Sequence, residues 1–329
     1  MTRNLYLGTG LTGIVEAIAS GDQAAIVRQA SLAWANVQAS QPEARMAAIA
    51  DEIVEARPDV VGLQEVTLWS TYAFNPQTGQ TVGGPTAAYD FLALLLDALA
   101  DRGVRYHEVP GATAENFSSD PIPVLTGGAV PTTAVQLEDR DVVLARAGVK
   151  TSHAQSGNFA TILAPPASPI PIERGWGSVD VRTKLAHYRF VNSHLEAFED
   201  PLLEGIRVAQ VAELFAAQDA IAQQYGVLPE VYVGDYNTAA PTAPAYLALR
   251  GRPLADAWLE AGSGPGLTCC TPLRAPSLDL DTRIDLVLHT PGTVRTRAVE
   301  IVGDEPVSLP GGVRWASDHM GVVATLAVG

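Results

Sequence analysis

The chain has 329 residues, 47% of them hydrophobic and 17% charged. A fold of that length buries about three quarters of its extended surface, and the composition excludes intrinsic disorder. No apolar run reaches 18 residues, and the net charge is −15 with Lys150 and Lys184 the only two lysines; a membrane-spanning helix is excluded, and a non-specific nucleic-acid binder working through a basic surface is disfavoured.

In chain order, Asn4-Leu5-Tyr6-Leu7 reads as a first core strand, directly after Met1-Thr2-Arg3. No signal-type segment precedes it; a secreted protein whose leader has been lost is one expectation, a cytoplasmic protein the alternative. Residues 13–38, rich in alanine and glutamine, read as a helical insertion. Residues 41–57 carry Met46, Ile49, Ile53 and Val54 at helical spacing, with Pro58 as a stop. Val60-Val61-Gly62-Leu63 is a strand. Residues 87–101 form a helix on Phe91, Leu94, Leu95, Ala98 and Leu99.

Val142-Val143-Leu144 is a strand, and Phe159 to Leu163, Val179 to Val181 and His187 to Asn192 read as successive antiparallel strands. Residues 202–224 form a helix on Leu203, Ile206, Leu214, Phe215 and Ile221. Val231-Tyr232-Val233, Ile284 to Leu288 and Met320 to Leu326 complete the strands. The Pro/Gly-rich patches 110–133, 164–177 and 262–276 read as loops. No repeat and no composition shift divides the chain, so one domain over 1–329 is expected, an α/β fold with mixed sheets. A monomer is expected.

Cys269 and Cys270 are adjacent. Cα atoms about 3.8 Å apart across a trans peptide rule out an ordinary bridge. Free thiols and a vicinal bridge both stay open, and no zinc-type spacing exists.

Polar, metal-capable residues recur at strand ends: Asn4, Glu65, His194, Asp235 with Asn237, Asp285, and Asp318 with His319. Loops leave a sheet there and side chains converge. Each signal is weak alone. Glu65 could be a solvated strand end, Gly234-Asp235-Tyr236-Asn237 an Asx-type turn, and Ser317-Asp318-His319 a cap. Asp285 inside an apolar strand needs a partner, either Arg283 or a histidine. Asp139 or Asp141 could orient His194. Arg174 and Trp176 could present a cation and an aromatic face, and Arg45 could pair with a carboxylate. His107, His153, His187 and His289 read as structural.

Taken as an ordered set, the stretches are far more specific. Asn4, Pro58 to Val66, Asn192-Ser193-His194-Leu195, Gly234 to Asn237, Arg283 to Val287 and Ser317-Asp318-His319 resemble the endonuclease/exonuclease/phosphatase superfamily, the DNase I-like phosphoesterases. Tyr236 stands where that family more often has phenylalanine. The resemblance implies a four-layer α/β/β/α sandwich with two central mixed sheets and a site at one open edge.

It also implies roles. Glu65 would be the main ligand for Mg²⁺ or Mn²⁺, with Asn4 and Asp318 nearby. His319 would be a general base oriented by Asp285. Asp235 and Asn237 would hold the nucleophile and a phosphate oxygen, and His194 would donate to the phosphate or protonate the leaving oxygen. The chemistry agrees: carboxylates beside a phosphodiester repel it unless a hard cation with oxygen ligands intervenes. With lysine nearly absent, a small-molecule or lipid head-group phosphoester is the expected substrate; DNA or RNA is the alternative, and a non-catalytic binding module is a second.

Overall fold

A computed structural model describes residues 1–163, 170–197 and 201–329. β1 (Thr2–Asn4) leads to α1 (Thr12–Ser20), α2 (Gln23–Ala39) and α3 (Pro42–Ala56). β2 (Val60–Gln64), β3 (Leu68–Asn75), β4 (Gln80–Asp90) and α4 (Phe91–Asp101) follow. Next come β5 (Tyr106–Glu108), β6 (Ala114–Ser118), β7 (Ile122–Val124), β8 (Thr133–Arg146), β9 (Lys150–Asn158), β10 (Gly175–Arg182) and β11 (His187–His194). The chain ends with α5 (Pro201–Tyr225), β12 (Glu230–Asp235), α6 (Pro244–Gly251), β13 (Ala255–Asp256), α7 (Ala257–Ala261), β14 (Asp285–His289), β15 (Val294–Val302) and β16 (Gly321–Val328).

The strands form two mixed sheets. One runs β15-β16-β1-β2-β8-β3-β4, with β5, β6 and β7 paired along β8; the other runs β13-β14-β12-β11-β10-β9. β1 and β2 are parallel, as are β11 and β12. Period-two alternation sends neighbouring residues to opposite faces. Val60, Val143, Ala145, Val231, Val233 and Val287 fill the space between the sheets. Their neighbours Val61, Val142 and Leu144 meet Met46, Ile49 and Ile53 of α3 and Phe91 and Leu95 of α4. On the far side Tyr232, Leu286 and Leu288 meet Val211, Leu214 and Leu249. Both sheets are thus covered on both faces, which gives the four-layer α/β/β/α sandwich and explains the near-continuous apolar strand runs.

The sheets also meet through polar groups. Asn192 donates from Nδ2 to Leu63 O at 3.0 Å, and Gln64 Nε2 donates to Asn192 Oδ1 at 2.6 Å. A Cβ on Gly62 would lie 2.4 Å from Asn192 Oδ1, so only glycine admits this bridge. It ties the end of β2 to β11, from which Glu65 and His194 emerge.

Several expected elements differ. Residues 13–38 form two helices: Gly21 ends α1 at φ 69°, and Asp22 caps α2 by accepting from Ala24 N and Ala25 N. The helix expected from 87 starts at Phe91, because 80–90 pairs with β3 and Asp90 caps the helix. The first strand lies earlier than read, at Thr2–Asn4 rather than Asn4 to Leu7, because Tyr6 turns at φ 57° with its N–H on Asn4 Oδ1. Phe159 to Leu163 is not a strand. The Ala160 and Thr161 N–H groups donate to the Glu213 carboxylate of α5, which replaces a ladder. The patch 110–133 holds β6 and β7. Of the patch 164–177, residues 164–169 lie outside the described residues, and β10 begins at Gly175. No helix among the described residues is long and apolar enough to cross a membrane.

Candidate active site

Strand ends bring the site together. The β11–β12 register sets His194 beside Asp235, and the antiparallel β12–β14 register sets Asp235 beside Asp285. β1 and β2 end side by side, Asn4 opposite Gln64, so Asn4 and Glu65 face the same edge. Glu65 itself has φ 55°, a left-handed turn that a side chain of its kind seldom adopts. That turn aims its carboxylate back over the strand end. Oε2 accepts from Leu7 N at 2.7 Å, and Oε1 accepts from Asn4 Nδ2 at 3.2 Å.

Asn4 Nδ2 also donates to Asp235 Oδ2 at 3.0 Å, while its oxygen accepts from Tyr6 N. In this arrangement Asn4 links two carboxylates through Nδ2, and its oxygen, which accepts one hydrogen bond, keeps a second lone pair. Asp235 Oδ1 accepts from Asn237 N at 3.0 Å, and Asn237 Nδ2 donates to Leu195 O. Asn237 therefore reaches Asp235 through its backbone.

His319 Nδ1 lies 2.9 Å from Asp285 Oδ2 and 3.7 Å from Asp235 Oδ2. Arg283, the other candidate partner of Asp285, pairs instead with Asp256 at 2.9 Å. Burial disfavours a charged His319 ring, but Asp285, Asp235 and Asp318 outweigh it and raise the pKa well above 6.5. His319 Nε2 faces Cys269 Sγ at 3.5 Å and Cys270 Sγ at 3.7 Å. Those two cysteines are paired with each other as a disulfide. Their approach to the histidine left no signal in the sequence.

His194 Nε2 is 3.6 Å from Asp235 Oδ2, and Nδ1 is 3.5 Å from Asp141 Oδ1. Of the two aspartates considered for it, Asp141 is the one at hand. Burial, then the Arg174 guanidinium at 3.3 Å, lower the His194 pKa to about 4, so the ring is neutral at pH 7. Arg174 also lies 3.8 Å from Glu196. It is a site cation whose place at the head of β10 was readable only as a loop position.

Arg45 does not pair with a carboxylate among the described groups. It is fully buried and donates to Leu5 O, Tyr6 O and Ala316 O at 2.7, 3.0 and 2.9 Å. It clamps the segments that carry Asn4 and Asp318. Arg45→Met leaves three carbonyls without a donor and is expected to cost about 3–5 kcal/mol in a urea melt. Activity per folded molecule should fall as well. The other histidines stand elsewhere: His289 pairs with Glu260 at the far end of β14, and His153 pairs with Asp180.

Asp139 and Asp141 are buried together. Burial pushes both carboxyls well above the usual range, with Asp141 adding to the rise at Asp139 and Glu65 and Asp235 to that at Asp141, and Asp139 Oδ1 and both Asp141 oxygens have no hydrogen-bond partner. A carboxyl whose folded pKa lies above its unfolded value, about 3.9, withdraws stability as pH rises past that value and until it ionises. Asp139→Asn cannot ionise. Its Tm should exceed that of the parent more at pH 8 than at pH 5 in scanning calorimetry; an equal gain at both would mean that the pair is ionised and held by Arg174.

The donor set suits a hard divalent cation. Among the described residues the ligand atoms of Asp235, Asp285 and His319 lie within 4.8 Å of one another, and Glu65 and Asp318 add carboxylate oxygens outside that group. Burial, relieved in part by His319 and aggravated by Glu65, raises the Asp318 carboxyl to about 6. Crowded carboxylates of this kind are relieved by an oxygen-liganded metal.

The profile of the endonuclease/exonuclease/phosphatase family matches residues 33–319. No curated protein matches the chain. Among solved structures, a mannosyl-6-phosphatase of Bacteroides thetaiotaomicron superimposes with TM-score 0.56 and 18% identity, covering 99% of this chain and 97% of that one. Truncated TDP2 of Caenorhabditis elegans gives 0.50 and 14%, covering 87% and 91%. An endonuclease/exonuclease/phosphatase of Beutenbergia cavernae gives 0.54 and 23%, covering 86% and 66%. With the profile spanning most of the chain and the strand-end residues of both sheets gathered at one edge of the sandwich, the chain belongs to the endonuclease/exonuclease/phosphatase family.

Proposed function

We propose that the protein is an Mg²⁺- or Mn²⁺-dependent phosphodiesterase that hydrolyses small-molecule or lipid head-group phosphoesters by attack of an activated water on phosphorus. The observation that carries this reading is the Asp285–His319 pair at 2.9 Å, beside Asp235 and a neutral His194. Glu65, with Asp318 and Asp235, would hold the cation, which when bound supplies charge neutralisation to the phosphoryl oxygens.

The chain's own groups divide the remaining work. His319, freed of its proton, accepts one from the attacking water, and Asp285 fixes the ring by its Nδ1. Asp235, held by Asn4 and Asn237, orients that water. His194 is neutral, so it serves as an N–H donor to a phosphoryl oxygen rather than as a proton source for the leaving group. The Arg174 guanidinium, 3.3 Å from Nδ1, can donate there and so leave the ring proton on Nε2. Arg174 adds a fixed cation at the same point.

Turnover of bis-p-nitrophenyl phosphate with Mg²⁺ or Mn²⁺, abolished by EDTA, is the direct test, run beside plasmid DNA and sphingomyelin. Metal-dependent cleavage of DNA alone would transfer the reading to a nuclease. No turnover of any of the three would sink the enzyme.

A further inference from the structure

We propose that the phosphoester bears an alkyl chain, and that this chain lies in an apolar cavity walled by α1 next to Glu65. The inference rests on the phosphoesterase reading above and narrows its substrate class. A cavity of about 120 Å³ is lined by Glu65 and Arg174 together with Leu11 at the start of α1, Ile14 and Ile18 of α1 and Leu137 of β8. Glu65 and Arg174 belong equally to the phosphate site, where Arg174 touches His194. A group bonded to the phosphate therefore has a direct way in.

The local sequence explains the wall. Leu11, Ile14, Val15 and Ile18 follow the i, i+3, i+4, i+7 spacing of a helix that should bury one face. Yet Ala17 is the buried residue of α1, and those four side chains are half-buried. Leu11 and Ile14 touch the core on one side, and all four side chains border the cavity. Unfilled apolar space forfeits dispersion contacts on one side, and an apolar cavity of about 150 Å³ stays dry and accepts a benzene-sized guest.

The adjoining space favours a chain over a ring. Past Ile18 and Ile122 the cavity continues into a recess of about 530 Å³, which shares both residues. A flexible chain of several carbons can follow that path from the phosphate outward. The acidic chain, at −15, is also poorly matched to a polyanion entering by the same route.

The test is a series of p-nitrophenyl alkyl phosphates, methyl, butyl and octyl, with the phenyl ester as the ring control, in Mg²⁺ or Mn²⁺. kcat/KM should rise about threefold to fourfold per buried methylene until the space is filled, with octyl above phenyl. Ile14→Trp and Ile18→Trp fill the cavity from a half-buried helix face. Both should keep the methyl ester within about twofold of the parent and lose the dependence on chain length. Calorimetric titration with submicellar octyl phosphate and methyl phosphate reads binding without turnover, and octyl should bind at least about tenfold tighter to the parent only.

A flat series in the parent, or an unchanged series in both variants, overturns the cavity's role. A phenyl ester above octyl overturns the alkyl chain as occupant. If no ester turns over but octyl phosphate keeps its advantage, the hydrolase reading fails and the chain site stands.

Discussion

Replacing His319 with alanine is expected to lower kcat roughly 10²–10⁴-fold with little change in KM, because a positioned base acts in the transition state. The ring is held at one nitrogen, with Nδ1 2.9 Å from Asp285 Oδ2, while Nε2 has no carboxylate partner and faces the Cys269 and Cys270 sulfurs. Its pH behaviour follows from the same contacts. Burial works against the charged ring, but Asp285 first, then Asp235 and Asp318, hold its pKa well above 6.5. A base must be unprotonated, so activity should rise with pH through that elevated value. Asp285→Asn removes the strongest of the three charges. It should move the acidic limb to lower pH and reduce kcat less than His319→Ala does. The double mutant should be little worse than His319→Ala alone, since the pair works as one unit. Losses that multiply would mean independent action and would end the oriented-base reading.

The legibility of this site in the sequence depended on which contacts are carried by strand order. Glu65, His194, Asp235 and Asp285 each sit at a strand boundary, so period-two apolar runs located them and the ordered set identified the fold. Contacts made by loops were not readable. Arg174 precedes β10 inside a Pro/Gly-rich patch, and nothing local distinguishes it from a rim residue. Cys269 and Cys270 reach His319 only because Thr268 donates its N–H to Thr282 O and Met320 N–H donates to Thr268 O, linking three distant segments. Arg45 looked like a helix-start cation; its burial under Leu5, Tyr6 and Ala316 is a tertiary fact. The β3–β4 hairpin was missed for a different reason. β4 is exposed over most of its length, and Gly83, Gly84 and Pro85 interrupt any alternation, so ladder pairing alone defines it.

Glu65→Gln is expected to reduce activity at least about 10²-fold at ordinary Mg²⁺ and to recover part of it at high metal. The carboxylate has two tasks that the amide splits. As a charge it would hold the cation. As an acceptor it takes Leu7 N on one oxygen and Asn4 Nδ2 on the other. Glutamine keeps one oxygen, so one of those donors faces an NH₂ group and loses its partner, at about 1–2 kcal/mol of stability. The two losses separate by measurement. The stability loss should appear in urea without metal and should not respond to Mg²⁺. The affinity loss should appear as a Tm that rises with Mg²⁺ in the parent and only at higher concentration in the variant, since a ligand stabilises in proportion to how far it exceeds its Kd. Glu65→Ala should lose both acceptors and gain nothing from high metal. A Glu65→Gln protein with unchanged activity at low Mg²⁺, or a parent whose Tm ignores Mg²⁺ and Mn²⁺, would remove Glu65 as a ligand. It would leave the left-handed backbone at that residue explained by its two hydrogen bonds alone.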